Sequence, residues 1–393
     1  MISFLNHYSF EKFSTDIATS LAQGVCCIVF LPTGINASEF ESNLSSAFER
    51  DFNRKITAIN AELINGESPF QRLKTLLSSD GEVRYLEQLV TYKEMPDAVI
   101  VSKFEELSLP QQKQWLDALK RWAITTKSCG EQRSLLMAMS KIPHHLEIFP
   151  EKDVRLQYYW YSGPSALEIS LMLRQYNSQI EAEDQWREYV IPSLSGSDKD
   201  LALALLDVVL QSKEAIIAKL RDYALQKGWN KEAIQKAISQ WKPNRLRAFP
   251  DNNLQIWSEG LLSYTPEYGE ELHSSVLALL DRENEINHRL WRGQSSLILP
   301  MIDYIRFRVA EFFKERYPNH MRQFESDDGY IDLGQLKRAI DQLPPASGER
   351  QQWHSVIFLA HQIRNQFAHY HPVTFEDFHK IRHRYLHLRK TAN

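Results

Sequence analysis

The run Gly24-Val25-Cys26-Cys27-Ile28-Val29-Phe30-Leu31 constrains this chain more than any other stretch. It carries no charge, shows no polar–apolar alternation and is closed by the turn residues Pro32-Thr33-Gly34. A short, uninterrupted apolar run bounded in this way reads as a strand covered on both faces. Further short strands are read at Lys55 to Asn60, Ala98 to Val101, Ser134 to Ser140 and Val154 to Tyr161. Between them, amphipathic spacing predicts helices over Ser38 to Arg50 and Leu109 to Thr126. Short apolar runs alternating with amphipathic segments are the pattern of α/β layers, so residues 1–163 are expected to form an α/β domain.

The 393 residues allow two or three domains. Hydrophobic residues at 43% and charged residues at 24% exclude general disorder. A formal charge of -4 excludes a chain that coats nucleic acid by bulk charge, so any such contact needs a local basic patch. The three cysteines, Cys26, Cys27 and Cys129, form neither a disulfide framework nor a paired metal-ligand spacing. Two of them sit adjacent in an apolar run, as buried small hydrophobes do in a reducing compartment. The start has no basic segment leading into an apolar one, and no window of membrane-spanning length is free of charge. A cytoplasmic protein with no membrane partner is expected.

Strand, loop and helix at the start, followed by a later apolar strand running into acidic residues, resembles a P-loop NTPase core of the AAA+ or STAND type. The chemistry departs from that family. A phosphate loop needs glycines, a lysine for the β/γ-phosphates and a hydroxyl for magnesium. Here Pro32-Thr33-Gly34-Ile35-Asn36-Ala37-Ser38-Glu39 has one glycine, no lysine and an acid. Ser102 follows Ala98 to Val101, where an aspartate would hold magnesium. Glu105 and Glu106 are either remnants of an acidic site or solvated charges. ATP hydrolysis is not expected, no cofactor is implied, and the domain is expected to serve as a sensor or docking surface.

Residues 164–252 read as an all-α helical middle. Helices are predicted from Ser165 to Gln175, Asp200 to Lys213, Ala215 to Lys227 and Asn230 to Trp241, with a linker over Pro243 to Asn253. Trp186, Trp229 and Trp241 sit beside apolar periodic residues and read as packing anchors. No catalytic spacing occurs here.

Residues 253–393 carry the chemistry. Helices are predicted over Glu271 to Arg282, Glu285 to Arg316, Leu333 to Leu343, Arg350 to Ala368 and Phe375 to Leu388. Pro300 is expected to kink or divide the second of these. Near the end of the fourth stands Ile363-Arg364-Asn365-Gln366-Phe367-Ala368-His369-Tyr370. Asn365 and His369, at i and i+4, share a helix face. An arginine offers a fork of fixed donors to a phosphate, and an imidazole moves protons near neutral pH.

Arg364-Asn365-Gln366-Phe367-Ala368-His369 at a helix end, with the upstream run Leu290 to Arg306, resembles a HEPN domain over about Leu254 to Asn393. Many members of that family are ribonucleases of bacterial defence and toxin systems. The resemblance implies a C-terminal helical bundle and metal-independent RNA cleavage to a 2′,3′-cyclic phosphate. His369 would act as base or acid, Arg364 would brace the phosphate and Asn365 would orient the phosphate or the ring. It also implies a homodimer whose two motifs share a cleft, because one histidine serves poorly as both base and acid.

Asp303 is either a buried partner of Arg364 or a surface acid, and His371 is placed to assist or replace His369. His379, His383 and His387 recur every four residues with Lys380, Arg382 and Arg384 around them. No cysteine or acid completes a zinc set on that face, and the basic stretch suits RNA phosphates or a solvated surface. The leading expectation is an RNA-cleaving effector of an antiviral or toxin system, with a neighbouring-gene protein as possible partner. The alternative is a non-enzymatic scaffold that docks onto a partner ATPase or a nucleic-acid-processing complex.

Overall fold

The computed structural model describes residues 8–32, 35, 37–77, 83–130, 132–139, 155–175, 181–210, 212–239, 241–242, 253–265, 268–344 and 348–391. In chain order its elements begin with α1 (Tyr8–Ala22), β1 (Cys26–Phe30), α2 (Ala37–Phe52), β2 (Ile56–Asn60), α3 (Pro69–Lys74), α4 (Leu86–Thr91), β3 (Ala98–Ser102), α5 (Leu109–Cys129), β4 (Ser134–Met139) and β5 (Leu156–Trp160). They continue with α6 (Ala166–Arg174), α7 (Ala182–Ser195), α8 (Lys199–Ala204), α9 (Lys213–Gln226), α10 (Lys231–Ile238), α11 (Leu254–Ser258), β6 (Leu262–Thr265), β7 (Gly269–Leu272) and α12 (Ser274–Leu279). The last are α13 (Glu283–Arg316), α14 (Pro318–Met321), α15 (Leu333–Asp341), α16 (Gly348–Ala368) and α17 (Phe375–Thr391). Among the described residues no helix is long and apolar enough to cross a membrane.

The chain divides into two compact units, 1–165 with 234–273, and 166–233 with 274–393. The segment 164–252, expected as one helical middle, therefore contributes to both. The linker expected over Pro243 to Asn253 lies outside the described residues except for Asn253.

The first unit is α/β. Five of its described strands form a parallel sheet in the order β2-β3-β4-β1-β5, an arrangement compatible with the P-loop-like core expected from the sequence. β1 lies between β4 and β5, with Cys27 opposite both Leu136 and Gln157. That interior place, with a strand on either side, explains why every residue of β1 is buried. Cys27, Val29 and Leu31 join one cluster with Phe10, Ile17 and Leu21 of α1 and Phe40, Leu44 and Phe48 of α2. Alternation turns Cys26, Ile28 and Phe30 to the opposite face. Each fully buried phenyl ring here stabilises the fold by roughly 1.5–3 kcal/mol. Burial pushes the Cys26 thiol up to about 12 and the Cys27 thiol well above its ordinary value, so both act as small hydrophobes.

The same unit contains a correction. A helix was predicted from Glu271, but β6 and β7 form an antiparallel hairpin that ends at Leu272, paired with Leu262. The helix that follows, α12, is only six residues long. Aromatic edges hold the hairpin, with Trp160 lying 4.7 Å from Tyr264 and 5.9 Å from Trp257. The buried Glu270 carboxylate accepts from Trp241 Nε1 and Asn253 Nδ2, both at 2.7 Å. Two well-placed donors make burial of that acid tolerable.

The second unit is helical and is built on α13, 34 residues long. Pro300 lies inside this helix and does not divide it, so of the two expected outcomes, a kink or a division, the division does not occur. The residue is on the exposed face, where water can satisfy the carbonyl its missing N–H leaves unpaired. α7 packs closely along α13 at Gly293: a Cβ added there would lie 2.5 Å from the Tyr189 carbonyl oxygen. The helix predicted over Asp200 to Lys213 is also corrected, since α8 ends at Ala204 and α9 starts at Lys213. Trp186 is buried as expected, with ring centroids 5.1 Å from Phe378 and 5.5 Å from Phe375.

Candidate functional site

α16 takes its orientation from Val356, Ala360, Ile363 and Phe367, a buried stripe at helical spacing. The neighbouring stripe, Phe358, His361, Asn365 and His369, is thereby turned outward. With Gln362, Gln366 and His371 it lines a groove of about 410 Å³.

The helix ends in a Schellman motif. Tyr370 is left-handed, with φ of 59°; its N–H donates to the Phe367 carbonyl at 3.1 Å, and that of His371 donates to the Gln366 carbonyl at 2.9 Å. A tyrosine is strained there, and tertiary contacts hold it. Its ring lies 4.8 Å from Trp291 and 5.6 Å from His288, and Trp291 Nε1 donates to the Phe367 carbonyl at 2.9 Å. Gln294, buried on α13, clamps the chain just beyond. Its Oε1 accepts from the Val373 N–H at 2.8 Å, and its Nε2 donates to the Val373 carbonyl at 3.3 Å. The upstream run Leu290 to Arg306 thus supplies two of the side chains that fix the end of the motif.

This clamp sets the histidines. The His369 and His371 rings lie 6.4 Å apart, both exposed and both lining the groove. Asn365 Nδ2 is 3.4 Å from His361 Nδ1. Gln366 Oε1 is buried and has no hydrogen-bond partner among the described residues. Such an acceptor is costly unless a ligand or water donates to it.

The sequence-derived residues divide between this groove and its surroundings. Asn365, His369 and His371 line it. Arg364 is exposed and outside the lining, with Nη1 3.4 Å from Asn365 Oδ1, a long contact. Asp303 is the surface acid of the two alternatives. It pairs with Arg306 at 2.9 Å on its own helix. Lys380 is paired with Glu376 at 2.7 Å, Arg382 donates to Gln185 Oε1 at 2.6 Å, and Arg384 is exposed. The basic stretch on α17 is therefore partly committed to internal contacts. Among the described residues no three His, Cys, Asp or Glu side chains are grouped to hold a metal. His361, Gln366 and Phe358 were not singled out from the sequence, although counting in fours back from His369 reaches His361.

The phosphate-loop region of the first unit is a different kind of site. Thr33, Gly34 and Asn36 lie outside the described residues. Ser102, at the end of β3, donates its hydroxyl to Glu41 Oε2 on α2 at 2.6 Å. Burial pushes the Glu41 carboxyl above its ordinary value, the Ser102 bond lowers it, and Glu105 raises it again. The Glu41 carboxyl is thereby tied to Ser102, which stands where the P-loop resemblance would place an aspartate for magnesium.

No family model and no curated protein matches this chain. Among solved structures, one of Drosophila ORC bound to poly(dA/dT) DNA and Cdc6 is similar at 13% identity. That match covers 97% of this chain and 70% of the other, with a TM-score of 0.28. A second, of Drosophila ORC bound to GC-rich DNA and Cdc6, is also 13% identical, covering 98% and 70% with a TM-score of 0.28. A TM-score of that size supports no statement about the activity of this chain.

Proposed function

We propose that the chain is an endoribonuclease of HEPN type that cleaves RNA without a metal, an effector of bacterial antiviral defence or a toxin system held in check by its inactive NTPase-like unit. The observation that carries this reading is the His369–His371 pair, 6.4 Å apart in one groove with Asn365. Two imidazoles at that separation can bracket a phosphodiester. His369 takes the proton of the 2′-hydroxyl, whose oxygen then bonds to phosphorus. The bond from phosphorus to the 5′-oxygen breaks, and His371 delivers a proton to that leaving oxygen. The products are a 2′,3′-cyclic phosphate and a 5′-hydroxyl.

Arg364 and Asn365 supply donors for the non-bridging oxygens as their charge grows. Because Arg364 stands outside the groove of its own chain, a homodimer paired through the helical bundle gives it a phosphate to reach. That same position favours the scaffold reading, in which Arg364 and Asn365 only cap a helix end. Cleavage of single-stranded RNA in excess chelator, with end-group analysis, separates the two. The enzyme reading expects 2′,3′-cyclic phosphate ends and a loss of about 10²–10⁴ in rate for His369→Ala. Equal cleavage by both proteins, or none by either with a partner present, leaves the scaffold.

A further inference from the structure

The groove does not stop at the histidines. Its far end is Phe358, eleven residues before His369 on α16 and therefore about 16 Å away along the helix axis. Phe358 is 48% exposed, although the buried stripe runs beside it on the same helix. Its surroundings are polar. The His354 ring lies almost parallel to it, at 6.1 Å and 17°, and Lys337 Nζ is 5.8 Å from its centroid. Asp341 on α15 holds both neighbours, 2.9 Å from Lys337 Nζ and 3.0 Å from His354 Nε2. The result is a half-exposed phenyl ring with an imidazole stacked beside it and an ammonium over the ring, continuous with a groove whose other end holds His369 and His371.

Resting on the reading above, we propose that Phe358 is a stacking platform for one base of single-stranded RNA, a few nucleotides from the phosphate held at His369 and His371. Unstacked strands are bound in this way because every base has a π-face for an aromatic ring, while cations beside it follow the backbone. An exposed phenyl in line with the groove also favours unpaired RNA, since a base inside a duplex cannot leave its stack cheaply. The occupant is thus one strand, threaded along α16.

Two measurements test this on the full chain. First, KM and kcat are compared for a dinucleotide and an octanucleotide. Phe358→Ala is expected to raise KM for the octanucleotide about tenfold to hundredfold more than for the dinucleotide. Phe358→Trp is expected to restore it. Second, 2-aminopurine is placed at successive positions in an octanucleotide bound to His369→Ala, so that the strand stays intact. Its fluorescence is expected to be quenched at one position, and that quenching to disappear when Phe358→Ala is added. If wild type cleaves and His369→Ala does not, but Phe358→Ala changes KM equally for both substrates and quenching persists, the platform is overturned while the nuclease reading stands. If wild type cleaves neither substrate in the activated system, both fall together.

Discussion

Two helix ends invite comparison, the start of α2 after β1 and the end of α16. At the start of α2 free backbone N–H groups and the helix dipole favour an anion, whereas the end of α16 is the negative pole of its helix, so an anion there depends on side-chain donors alone. At α2 the polar groups satisfy one another, with Ser102 donating to Glu41 and Glu105 adding like charge. At α16 they do not. His369 and His371 take part in no ion pair among the described residues, Gln366 Oε1 is buried without a partner, and the groove is open. A motif retains its chemistry only while its donors stay uncommitted. By that criterion the polar groups shown in the first unit are tied to each other, while His369, His371 and Gln366 in the second remain open to a ligand.

The largest effect expected from this difference belongs to His371. If it delivers the proton to the leaving oxygen, His371→Ala lowers kcat/KM by about 10²–10⁴ and removes the alkaline limb of a bell-shaped pH profile. The acidic limb, set by the base, remains. A substrate whose leaving group needs no proton, such as a nitrophenyl ester of a nucleoside 3′-phosphate, should be cleaved by the variant nearly as fast as by wild type. Loss of rate with both limbs preserved, and an equal loss on the activated ester, would assign His371 to positioning instead. The open groove would then hold one proton-transfer residue per chain.

A smaller effect is expected beneath the groove. Gly293→Ala usually favours a helix, by about 0.5–1 kcal/mol. Here the new methyl group would sit 2.5 Å from the Tyr189 carbonyl oxygen and 3.0 Å from Ser193 Cβ, so α7 and α13 must separate. Overpacking of this kind costs about 1–3 kcal/mol, which outweighs the gain in propensity. Thermal melting should show a net fall in Tm. Cleavage should fall further than stability predicts, because Trp291 and Gln294, which fix His369 and His371, flank the displaced residue on α13. A rise in Tm would mean that the two helices yield freely and that the groove does not depend on their fit.

The same contrast explains what the sequence made legible. β1, β3 and β4 could be read because burial on both faces writes an uninterrupted apolar run, and β1 is the clearest of them. The β6–β7 hairpin could not, since Gly269-Glu270-Glu271-Leu272 looks like the acidic start of a helix. Its support comes from Trp160, Trp241 and Asn253, residues distant in sequence. Pro300 left open whether α13 would be kinked or divided, because its effect depends on which face it occupies, and that was fixed by packing against α7. At the site, the residues from Arg364 to His369 were correctly placed at a helix end. The phase of that helix was set by Val356, Ala360, Ile363 and Phe367, and following this stripe brings Phe358 and His361 into the groove and leaves Arg364 outside it. The left-handed Tyr370 has no local signature, since Trp291 and His288 hold it from another helix.

The smallest expected effect lies on the other side of the comparison. Burial raises the Glu41 carboxyl above its ordinary value, which means that the folded state favours its protonated form. A group with a raised folded-state value contributes stability that is fully present below its unfolded value and is lost as pH rises through the folded one. Glu41 therefore opposes folding at neutral pH relative to acid. Glu41→Gln keeps an acceptor for the Ser102 hydroxyl and removes the charge, so it should make the first unit slightly more stable at pH 7, by at most about 0.5 kcal/mol after solvent screening. The gain should vanish near pH 4, where wild type carries the proton itself. Melting curves at the two values measure it. Stability lost at pH 7 would mean that the ionised carboxylate holds the start of α2 in place, and the site would then be a built anionic feature in place of a decayed phosphate loop.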